Sequence, residues 1–575
     1  MIDTVDVGIK VGGAAGQGIQ TIGAVLSKTF QRGGLYVFGV QHYYSRVRGG
    51  HNFFYARISN KPIYAMRERV NLLIALDHAS IDEHLGELER GVVVVDRDSV
   101  KVDSESESLF HVPLKSIADD VGGSQLYANT VATGAVLGLL CYPFDILSDV
   151  LSQTFKKKGD AVVEKNIASA RAGYDYAQKN FPGRCPIMLE PVEKPNSRML
   201  ITGNEAVGLG ALAAGLKFLS AYPMTPSTGV MNYVASKADS LGVVVEQAED
   251  EISAITMAVG ASFAGVRSMT TTSGGGFSLM VEALGLAGMT ETPIVIFLCQ
   301  RPGPATGLPT MTEQGDLEFA LHAAQGEFPR CVLAPKTADD AFYITSKAFN
   351  IADKYQIPVF ILSDQYLADS VFTCERFDLD QIKIERYLMK DAELEGVDYM
   401  RYKFTKSGIS PRALPGQSGV LVVADSDEHD EAGHIDESVE NRVAMSDKRM
   451  GKLSLLRKEM SLPAVYGPAH APLTLIGWGS TYGPLKEAVD ILKAEGVDVN
   501  LISFNEIYPL PIKKINKILE RAEKTVSIEN NATGQFARVL KAELGFTVSH
   551  SILKYDGRPF TPEYIVRELS KMVVV

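Results

Sequence analysis

The sequence is poor in cysteine. It has five cysteines among 575 residues, and no two of them lie closer than 32 positions. A CxxC pair or an iron–sulfur spacing is therefore absent, and isolated thiols without a disulfide framework are typical of a reducing compartment. We expect a cytoplasmic protein in which these thiols are small buried apolar side chains. They are Cys141, Cys185, Cys299, Cys331 and Cys374.

The chain also lacks a basic surplus, a long apolar run and an export signal. Lys plus Arg number 57 against 69 Asp plus Glu, and the net charge of −12 argues against a nucleic-acid-binding protein. The most apolar run, residues 131–142, is too short to span a bilayer. The first six residues contain two acids and no basic residue, so we expect no signal peptide and no membrane association.

What the sequence does have is the pattern of a large α/β protein. With 46% hydrophobic and 22% charged residues, it is long enough for about three to four domains. Apolar strand-like runs alternate with helical patterns, which predicts an α/β, multidomain fold with largely parallel sheets. Clustered prolines and a later charge-dense stretch divide the chain. We predict domains over 1–190 and 191–375, an irregular connecting segment over 376–466 and a last domain over 467–575.

A glycine-rich turn over residues 12–18 lies between the first predicted strand and a helix. Its glycines, Gly13, Gly16 and Gly18 among them, let backbone N–H groups approach an anion at the helix N-terminus. The spacing is not GxGxxG, and the next strand ends in Gln41 and His42 rather than an acid, so NAD is disfavoured. A phosphate-bearing ligand, a domain interface and a purely structural turn remain open.

A basic, glycine-rich loop over residues 46–51 is the second feature of this domain. Its arginines, Arg48 among them, can hold a phosphate or a carboxylate. A solvated turn with surface arginines is the alternative.

In the middle domain, three polar side chains follow the ends of predicted strands, where open parallel sheets bind ligands. Thr225 precedes a proline and is either a helix N-cap or a ligand-binding residue. Glu251 differs from the acids just before it, because it lies on the helix and can point into an apolar interface. Arg301 ends a strand and is either a carboxylate clamp or part of a surface ion pair.

Another glycine turn, over residues 271–277, opens a helix between the segments of Glu251 and Arg301. Ser273, Gly274 and Gly275 lie in this turn. Such a turn allows a flat ligand to approach the backbone.

Four of these segments, in this order, resemble the alpha subunit of 2-oxoacid:ferredoxin oxidoreductases. They are Tyr-Pro-Met-Thr-Pro-Ser-Thr (222–228), Glu-Asp-Glu-Ile (249–252), Thr-Ser-Gly-Gly-Gly-Phe (272–277) and Arg-Pro-Gly-Pro-Ala-Thr-Gly-Leu-Pro-Thr (301–310). The first domain is similar to the family's gamma domain. Segments 477–480, 508–511 and 529–535 are similar to its transketolase C-terminal-like domain. The resemblance covers nearly the whole chain and makes 191–375 a pyrimidine-binding thiamine diphosphate domain.

The resemblance implies thiamine diphosphate chemistry on a 2-oxo acid, with the acyl group passed to coenzyme A. Glu251 matches the glutamate that binds the aminopyrimidine N1′ of the cofactor, and Ser273, Gly274 and Gly275 match the turn beside it. Thr225 and Arg301 match residues that hold the substrate carboxylate. The first glycine turn and Arg48 are assigned to coenzyme A or to a domain interface.

Two absences indicate a partner chain. Thiamine enzymes bind the diphosphate through Mg²⁺ with a Gly-Asp-Gly segment, which does not occur here, and the cysteines of an iron–sulfur cluster are also lacking. The resemblance therefore implies a beta subunit that carries Mg²⁺ and a [4Fe-4S] cluster, an (αβ)2 assembly and ferredoxin as the electron carrier. We expect no metal ligands in this chain.

The domain order resembles that of enzymes that act on 2-oxoglutarate or on a broad range of 2-oxo acids. We favour conversion of 2-oxoglutarate and coenzyme A to succinyl-CoA, CO2 and reduced ferredoxin, with broad 2-oxo acids or pyruvate as the alternative. A non-catalytic scaffold that binds coenzyme A or a nucleotide is a hypothesis of another class.

The acidic stretch from residue 425 to 437 resembles a family segment of unclear role. Its acids and two histidines are of metal-binding types, but we expect a solvated charged loop.

Overall fold

A computed structural model describes residues 5–45, 50–100, 108–192 and 198–573. The strands in this part of the chain are β1 (Asp6–Ala14), β2 (Tyr36–His42), β3 (His51–Ser59), β4 (Val70–Ala75), β5 (Leu88–Asp96), β6 (Leu109–Val112), β7 (Met199–Thr202), β8 (Phe218–Ala221), β9 (Val244–Gln247), β10 (Ser268–Thr272), β11 (Ile294–Gln300), β12 (Cys331–Leu333), β13 (Pro358–Asp364), β14 (Val371–Cys374), β15 (Ala464–Tyr466), β16 (Leu473–Trp478), β17 (Val499–Phe504), β18 (Glu506–Tyr508), β19 (Lys524–Glu529) and β20 (His550–Leu553).

The α-helices are α1 (Ile19–Arg32), α2 (His78–His84), α3 (Leu114–Ile117), α4 (Ala128–Leu139), α5 (Phe144–Phe155), α6 (Asp160–Asn180), α7 (Gly203–Ala213), α8 (Thr228–Ala235), α9 (Ala238–Leu241), α10 (Glu251–Phe263), α11 (Gly274–Met289), α12 (Leu317–His322), α13 (Ala338–Tyr355), α14 (Gln365–Asp369), α15 (Asp391–Leu394), α16 (Val439–Glu459), α17 (Tyr482–Ala494), α18 (Ile512–Leu519), α19 (Gln535–Leu544) and α20 (Pro562–Val573).

The chain forms two compact units, and the first consists of residues 1–201 with 370–376 and 561–564. Its eight-stranded sheet has the order β6-β5-β4-β1-β3-β2-β14-β7. Strands β6, β5, β4 and β1 are parallel, whereas β3 runs antiparallel to both β1 and β2. The α/β prediction is confirmed, but half of this sheet is antiparallel because β2 and β3 follow one another through a short connection.

Residues 131–139 of the apolar run lie in helix α4, which packs closely against α6. A Cβ atom on Gly134 would lie 1.9 Å from the carbonyl oxygen of Ala170, and one on Gly173 would lie 2.2 Å from that of Val131. These glycines allow the two helix backbones to approach, which explains why this part of the run is buried. Within the described residues, no helix combines the length and the apolar character needed to cross a membrane.

The second unit contains residues 202–369, 377–560 and 565–575. Its seven-stranded sheet has the order β18-β12-β13-β11-β10-β8-β9 and is parallel except for β18. A five-stranded sheet, β15-β17-β16-β19-β20, is parallel except for β15. Strand β18 comes from the segment predicted as a separate last domain, yet it pairs with the larger sheet. The three predicted boundaries between the four segments thus remain a prediction, and the structure groups most of the chain after residue 201 into one unit.

The segment over 376–466 is not irregular throughout, because it contains the 21-residue helix α16. The prediction of an irregular connection misses this helix for a physical reason. Its buried face includes Lys448, Arg449 and Lys452, so the apolar periodicity of an amphipathic helix is missing. Both lysines bind the buried Glu291 carboxylate. Burial alone would raise the pKa of Glu291, but the two ammonium groups hold it below its usual range.

The sequence predicts that the acidic stretch is a solvated loop. In the structure it instead lies against α16. Glu428 binds Arg449 at 2.7 Å and also Arg442. Burial opposes the ionised form, yet these bonds lower the pKa of Glu428 to about 2. His429 is fully buried, and its ring centroid lies 4.0 Å from that of Tyr402. The Glu428 carboxylate of this stretch is thus paired with arginines of α16, a pairing that a sequence alone cannot show.

Three of the five thiols are buried as expected, but Cys141 is exposed and Cys185 is partly exposed. Cys141 follows the C-terminus of α4 with a φ of 52°, where the chain turns outward. For these two residues the expectation of a buried apolar role is wrong.

Candidate active site

Glu251 is the buried acid of the second unit. Asp250 caps helix α10, because its side chain accepts a 2.7 Å hydrogen bond from the N–H of Ser253. The helix therefore begins at Glu251 and turns this side chain inward, where it is only 4% exposed. Its Oε1 is buried and has no hydrogen-bond partner among the described residues. Glu249, two positions earlier, is exposed.

The second glycine turn lies directly against this carboxylate. Ser273 follows β10 at the N-cap position of α11, and its buried hydroxyl makes no capping bond and has no partner within the described chain. A Cβ atom on Gly276 would lie 2.6 Å from Oε1 of Glu251 and 2.3 Å from Oγ1 of Thr272. Gly274 and Gly275 leave the start of the helix partly open to solvent. Gly276 therefore lets the Glu251 side chain pack directly against the start of α11, and the open position of the turn is Gly275, where a Cβ would meet no atom closer than 3.7 Å.

Arg301 and Thr225, which the sequence predicts to bind the substrate carboxylate, are in contact in the structure. The Nη1 group of Arg301 donates a 2.7 Å hydrogen bond to the carbonyl oxygen of Thr225. Nε of Arg301 is buried without a partner in the described part of the chain. Burial lowers the pKa of this guanidinium, and the Asp316 carboxylate opposes the shift. The guanidinium therefore retains one buried donor that is free for a ligand.

The two alternatives for these residues do not hold. Helix α8 begins at Thr228 with Ser227 at its N-cap position, so Thr225 is not the N-cap. Nη1 of Arg301 donates to a backbone carbonyl and not to a carboxylate, and its Nε has no partner among the described residues. The surface ion-pair interpretation of Arg301 thus lacks a partner.

Two further acids, Asp316 and Glu313, lie at this site and are missing from the sequence predictions. Oδ2 of Asp316 is buried without a partner among the described residues, and it lies 2.4 Å from where a Cβ on Gly274 would stand. Burial raises the pKa of Asp316 to about 6 against the pull of Arg301. Burial and the Asp316 charge raise the pKa of Glu313 to about 7. Their signal in the sequence is a pair of acids between the Arg301 segment and α12.

These groups follow four neighbouring parallel strands. Thr225 follows β8, Glu251 follows β9, Ser273 follows β10 and Arg301 follows β11, and these strands lie side by side in the sheet. Their carboxyl ends share one edge, which is where open α/β sheets bind ligands. Each of three segments brings a buried polar atom that no described residue satisfies, and such atoms are rare in proteins without a ligand or water.

The first glycine turn, in the other unit, lines a cleft with a volume of 360 Å³. Gly18 is the N-cap residue of α1 with a φ of 73°, and a Cβ there would lie 1.9 Å from Nδ2 of Asn129. A Cβ on Gly13 would lie 2.5 Å from Oε1 of Gln17, whereas Gly16 faces open space. The cleft also contacts His42, Tyr44 and Phe53. Arg48, predicted to act with this turn, lies outside the described residues.

Three family models match the sequence. Residues 8–176 match pyruvate ferredoxin/flavodoxin oxidoreductase, residues 209–448 match the thiamine diphosphate-binding part of pyruvate flavodoxin/ferredoxin oxidoreductase, and residues 471–565 match core domain II of pyruvate:ferredoxin oxidoreductase. The candidate site falls within the second of these ranges.

Relatives match over almost the full length. The chain is 34% identical to a 2-oxoacid:ferredoxin oxidoreductase subunit alpha of a Sulfolobus species, with 98% of this chain and 96% of that protein covered. It is 28% identical to the 2-oxoglutarate oxidoreductase subunit KorA of Mycobacterium tuberculosis, over 97% of this chain and 90% of that protein. Among solved structures, 2-oxoglutarate:ferredoxin oxidoreductase from Magnetococcus marinus, bound to 2-oxoglutarate, coenzyme A and succinyl-CoA, superimposes with a TM-score of 0.92 at 33% identity, covering 99% of both chains.

Proposed function

The chain belongs to the 2-oxoacid:ferredoxin oxidoreductases as an alpha subunit, and from this premise we propose that it converts 2-oxoglutarate and coenzyme A to succinyl-CoA and CO2, reversibly, while ferredoxin is reduced. The choice of 2-oxoglutarate is supported by the Magnetococcus structure and by the KorA relatives. Membership of an enzyme family sets aside the non-catalytic scaffold.

One observation carries the assignment of the site: the buried Oε1 of Glu251 that no described residue satisfies. Thiamine diphosphate, when bound, supplies a carbanion that adds to the 2-oxo carbon and accepts the electrons of decarboxylation. The residues present fit its aminopyrimidine ring, since an unpartnered carboxylate oxygen lies against the glycine turn, in which a Cβ on Gly275 would meet no atom closer than 3.7 Å. An unpaired buried carboxylate is costly, and a ring N–H would satisfy it.

We assign the proton at the ring nitrogen to Glu251. A carboxylate in a dry setting holds this proton strongly, because a charge-assisted hydrogen bond gains strength where water is excluded. Ser273, Gly274 and Gly275 line the same turn and allow the ring to approach the backbone. These roles follow from burial and from the glycine geometry of the turn.

We assign Arg301 and Thr225 to the carboxylate of the 2-oxo acid. The guanidinium already contacts the carbonyl oxygen of Thr225, which fixes its position, and its buried Nε remains available as a donor. A fixed guanidinium orients a carboxylate more strictly than a flexible ammonium does. Orientation of this kind supplies part of the rate enhancement, because the reacting atoms are held together.

The remaining parts of the enzyme are proposed for a partner chain. This sequence has no Gly-Asp-Gly segment and no clustered cysteines, so a beta subunit would supply the Mg²⁺ and diphosphate site and a [4Fe-4S] cluster. The assembly we propose is (αβ)2, in the cytoplasm. We propose that the first glycine turn and Arg48 bind coenzyme A or form a domain interface; the cleft beside the turn supports this proposal.

The test is reconstitution with the beta subunit, which we expect to be encoded by a neighbouring gene. The purified pair, supplied with thiamine diphosphate, Mg²⁺ and coenzyme A, should reduce a viologen dye when 2-oxoglutarate is added. A panel of 2-oxo acids, pyruvate included, separates the 2-oxoglutarate proposal from the broad specificity suggested by the name of the Sulfolobus relative. Comparable kcat/KM values across the panel would support the broad alternative, and no reduction with any of these acids would end the proposal.

A further inference from the structure

We propose that His51, His84 and Glu83 bind one divalent transition-metal ion of the zinc class in the first unit. This site is separate from the thiamine site and does not depend on the proposed reaction. The ligand atoms of the three residues all lie within 4.8 Å of one another. Two imidazoles and one carboxylate form a ligand set that suits Zn²⁺ and leaves a fourth position for water.

The two histidines are buried and face each other. His51 is 8% exposed and His84 is 4% exposed, and their Nε2 atoms lie 2.8 Å apart. A tetrahedral zinc ion with Zn–N distances of about 2.0–2.1 Å places two ligand nitrogens roughly 3.3 Å apart. Small ring rotations that increase the distance between the two Nε2 atoms by about half an ångström would therefore admit the ion.

The ring of His51 has no other assigned role in the described part of the chain. Its Nδ1 is buried without a hydrogen-bond partner, and its Nε2 contacts only His84. A Cβ on Gly12 would lie 3.1 Å from Cε1 of His51, so β1 leaves room for this ring. A buried imidazole that satisfies no backbone group is better explained by a ligand.

A carboxylate orients the second histidine in the manner of known metal sites. Oε1 of Glu87 lies 3.0 Å from Nδ1 of His84. Glu87 therefore favours the tautomer with the proton on Nδ1, which leaves the lone pair of Nε2 directed at His51. Carboxylate–histidine pairs of this kind fix ring orientation and raise the basicity of metal ligands.

The charge around the site favours a cation. The ammonium of Lys10 lies 3.4 Å from Nδ1 of His84 and is bonded to Glu87. Three carboxylates, those of Glu83, Glu87 and Asp77, act on the histidine pair and outnumber this single ammonium. With both imidazoles neutral, the net charge of the cluster is negative, and Glu83 lies at the surface where an ion can enter.

The experiment uses the purified, untagged full-length chain after treatment with a chelator. Titration with Co²⁺ alone is expected to give visible absorption bands with one ion per chain, and Zn²⁺ should displace it. His84→Gln is expected to weaken binding at least 100-fold. Glu83→Gln, at an exposed position where folding is not at risk, should weaken it about tenfold, as the loss of one ligand or its support does.

Two controls separate this site from other surface ligands. His78→Gln changes an exposed histidine on the same helix that pairs with Asp82, and Cys141→Ser removes the exposed thiol. Both variants should bind Co²⁺ like the wild type. Zn²⁺ should also raise the unfolding temperature of the wild type but not that of the His84→Gln chain. Wild-type chains without stoichiometric binding, or unchanged binding in both His84→Gln and Glu83→Gln, would overturn the proposal.

Discussion

The two glycine turns of this protein look alike in sequence but differ in their surroundings. Each follows a strand and opens a helix, α1 in the first unit and α11 in the second. Beside the second turn lie the unpartnered carboxylate oxygen of Glu251 and the unpartnered hydroxyl of Ser273. The cleft beside the first turn is lined by the rings of His42, Tyr44 and Phe53 together with uncharged polar side chains such as Gln20, Gln41 and Asn52, and none of the described residues that line it carries a carboxylate.

This difference shows that a glycine turn provides space for a ligand but no functional group that binds or reacts with it. Glycine permits close approach and positive φ angles at either turn. The chemistry comes from side chains that other strands deliver to the same edge of the sheet. Substitutions can therefore test the comparison by changing either the space at a turn or the functional side chains beside it.

The largest effect is expected from Glu251→Gln in the reconstituted enzyme. Removal of the carboxylate that holds the ring proton should lower kcat by about 10²–10⁴-fold, the usual contribution of a positioned acid or base. Glu249→Gln, two positions earlier and exposed, is the matched control and should leave kcat unchanged. Equal rates for the two variants, with assembly intact by size-exclusion chromatography, would remove Glu251 from the site.

Gly276→Ala changes the room at the second turn and leaves its charge intact. The added Cβ would stand 2.6 Å from Oε1 of Glu251 and must displace it. A shift of this size should lower kcat on the order of 100-fold. Gly285→Ala, on the same helix, meets no atom closer than 3.8 Å and should retain the wild-type rate. A fully active Gly276→Ala enzyme would show that the turn does not constrain the cofactor.

Arg301→Lys tests the substrate side of the second turn. A point charge replaces a rigid fork, so KM for 2-oxoglutarate should rise roughly tenfold, with a smaller fall in kcat. Steady-state kinetics over a range of 2-oxoglutarate concentrations measures this. Arg521→Lys is the control, because it makes the same substitution at an exposed position outside the site and should leave KM unchanged. An unaltered KM in Arg301→Lys would assign the substrate carboxylate to another residue.

Gly18→Ala tests whether the first turn binds coenzyme A. The new Cβ would lie 1.9 Å from Nδ2 of Asn129 at a φ of 73°. We expect KM for coenzyme A to rise about fivefold, while the Kd of thiamine diphosphate stays constant, because only the room at this turn changes. Gly159→Ala has a φ of 96° and faces open space, so it reproduces the strain without the clash. The same KM in both variants would favour the interface role of the turn.

The last prediction concerns stability and not activity, at the acid Asp316 beside the second turn. Burial raises its pKa from 3.8 to about 6, so the folded chain holds this proton more tightly than the unfolded chain does. The ionised carboxylate destabilises the fold above this pKa, and stability rises as the pH falls through it. Asp316→Asn should therefore increase the free energy of unfolding by about 3 kcal/mol near pH 8 and by about 0 below pH 4.

Denaturant unfolding at both pH values measures this difference. Asp498→Asn, at an exposed position, should show the same stability change at either pH. A gain for Asp316→Asn that does not depend on pH would mean that its charge is not the cause.

The sequence predicts well where local patterns decide. Alternating apolar and helical runs gave the α/β class, and strands such as β11, β13 and β16 lie where apolar runs predict them. The motifs around Thr225, Glu251 and Arg301 indicated the family, and the comparisons confirm it. Glycine, proline and apolar residues act on their own neighbourhood, so their positions are informative without a fold.

The sequence predicts poorly where distant charges meet. Helix α16 went unrecognised because its inner face is charged and binds Glu291, more than 150 positions earlier. Asp316 was missed because only the fold brings it beside Gly274. Paired charges leave no periodic signal, since the partner lies far away along the chain.

The order of segments, the helix and strand types and the family of this protein are thus determined by the amino-acid sequence alone, through local propensities and short motifs. The sequence already separates Glu251 from Glu249 by its place on a helix, but only the tertiary structure decided that the Asp316 carboxylate is buried against the second turn. Burial depends on the phase of a helix and on what packs against it. These are properties of the assembled sheet edge, and they are not properties of any one segment.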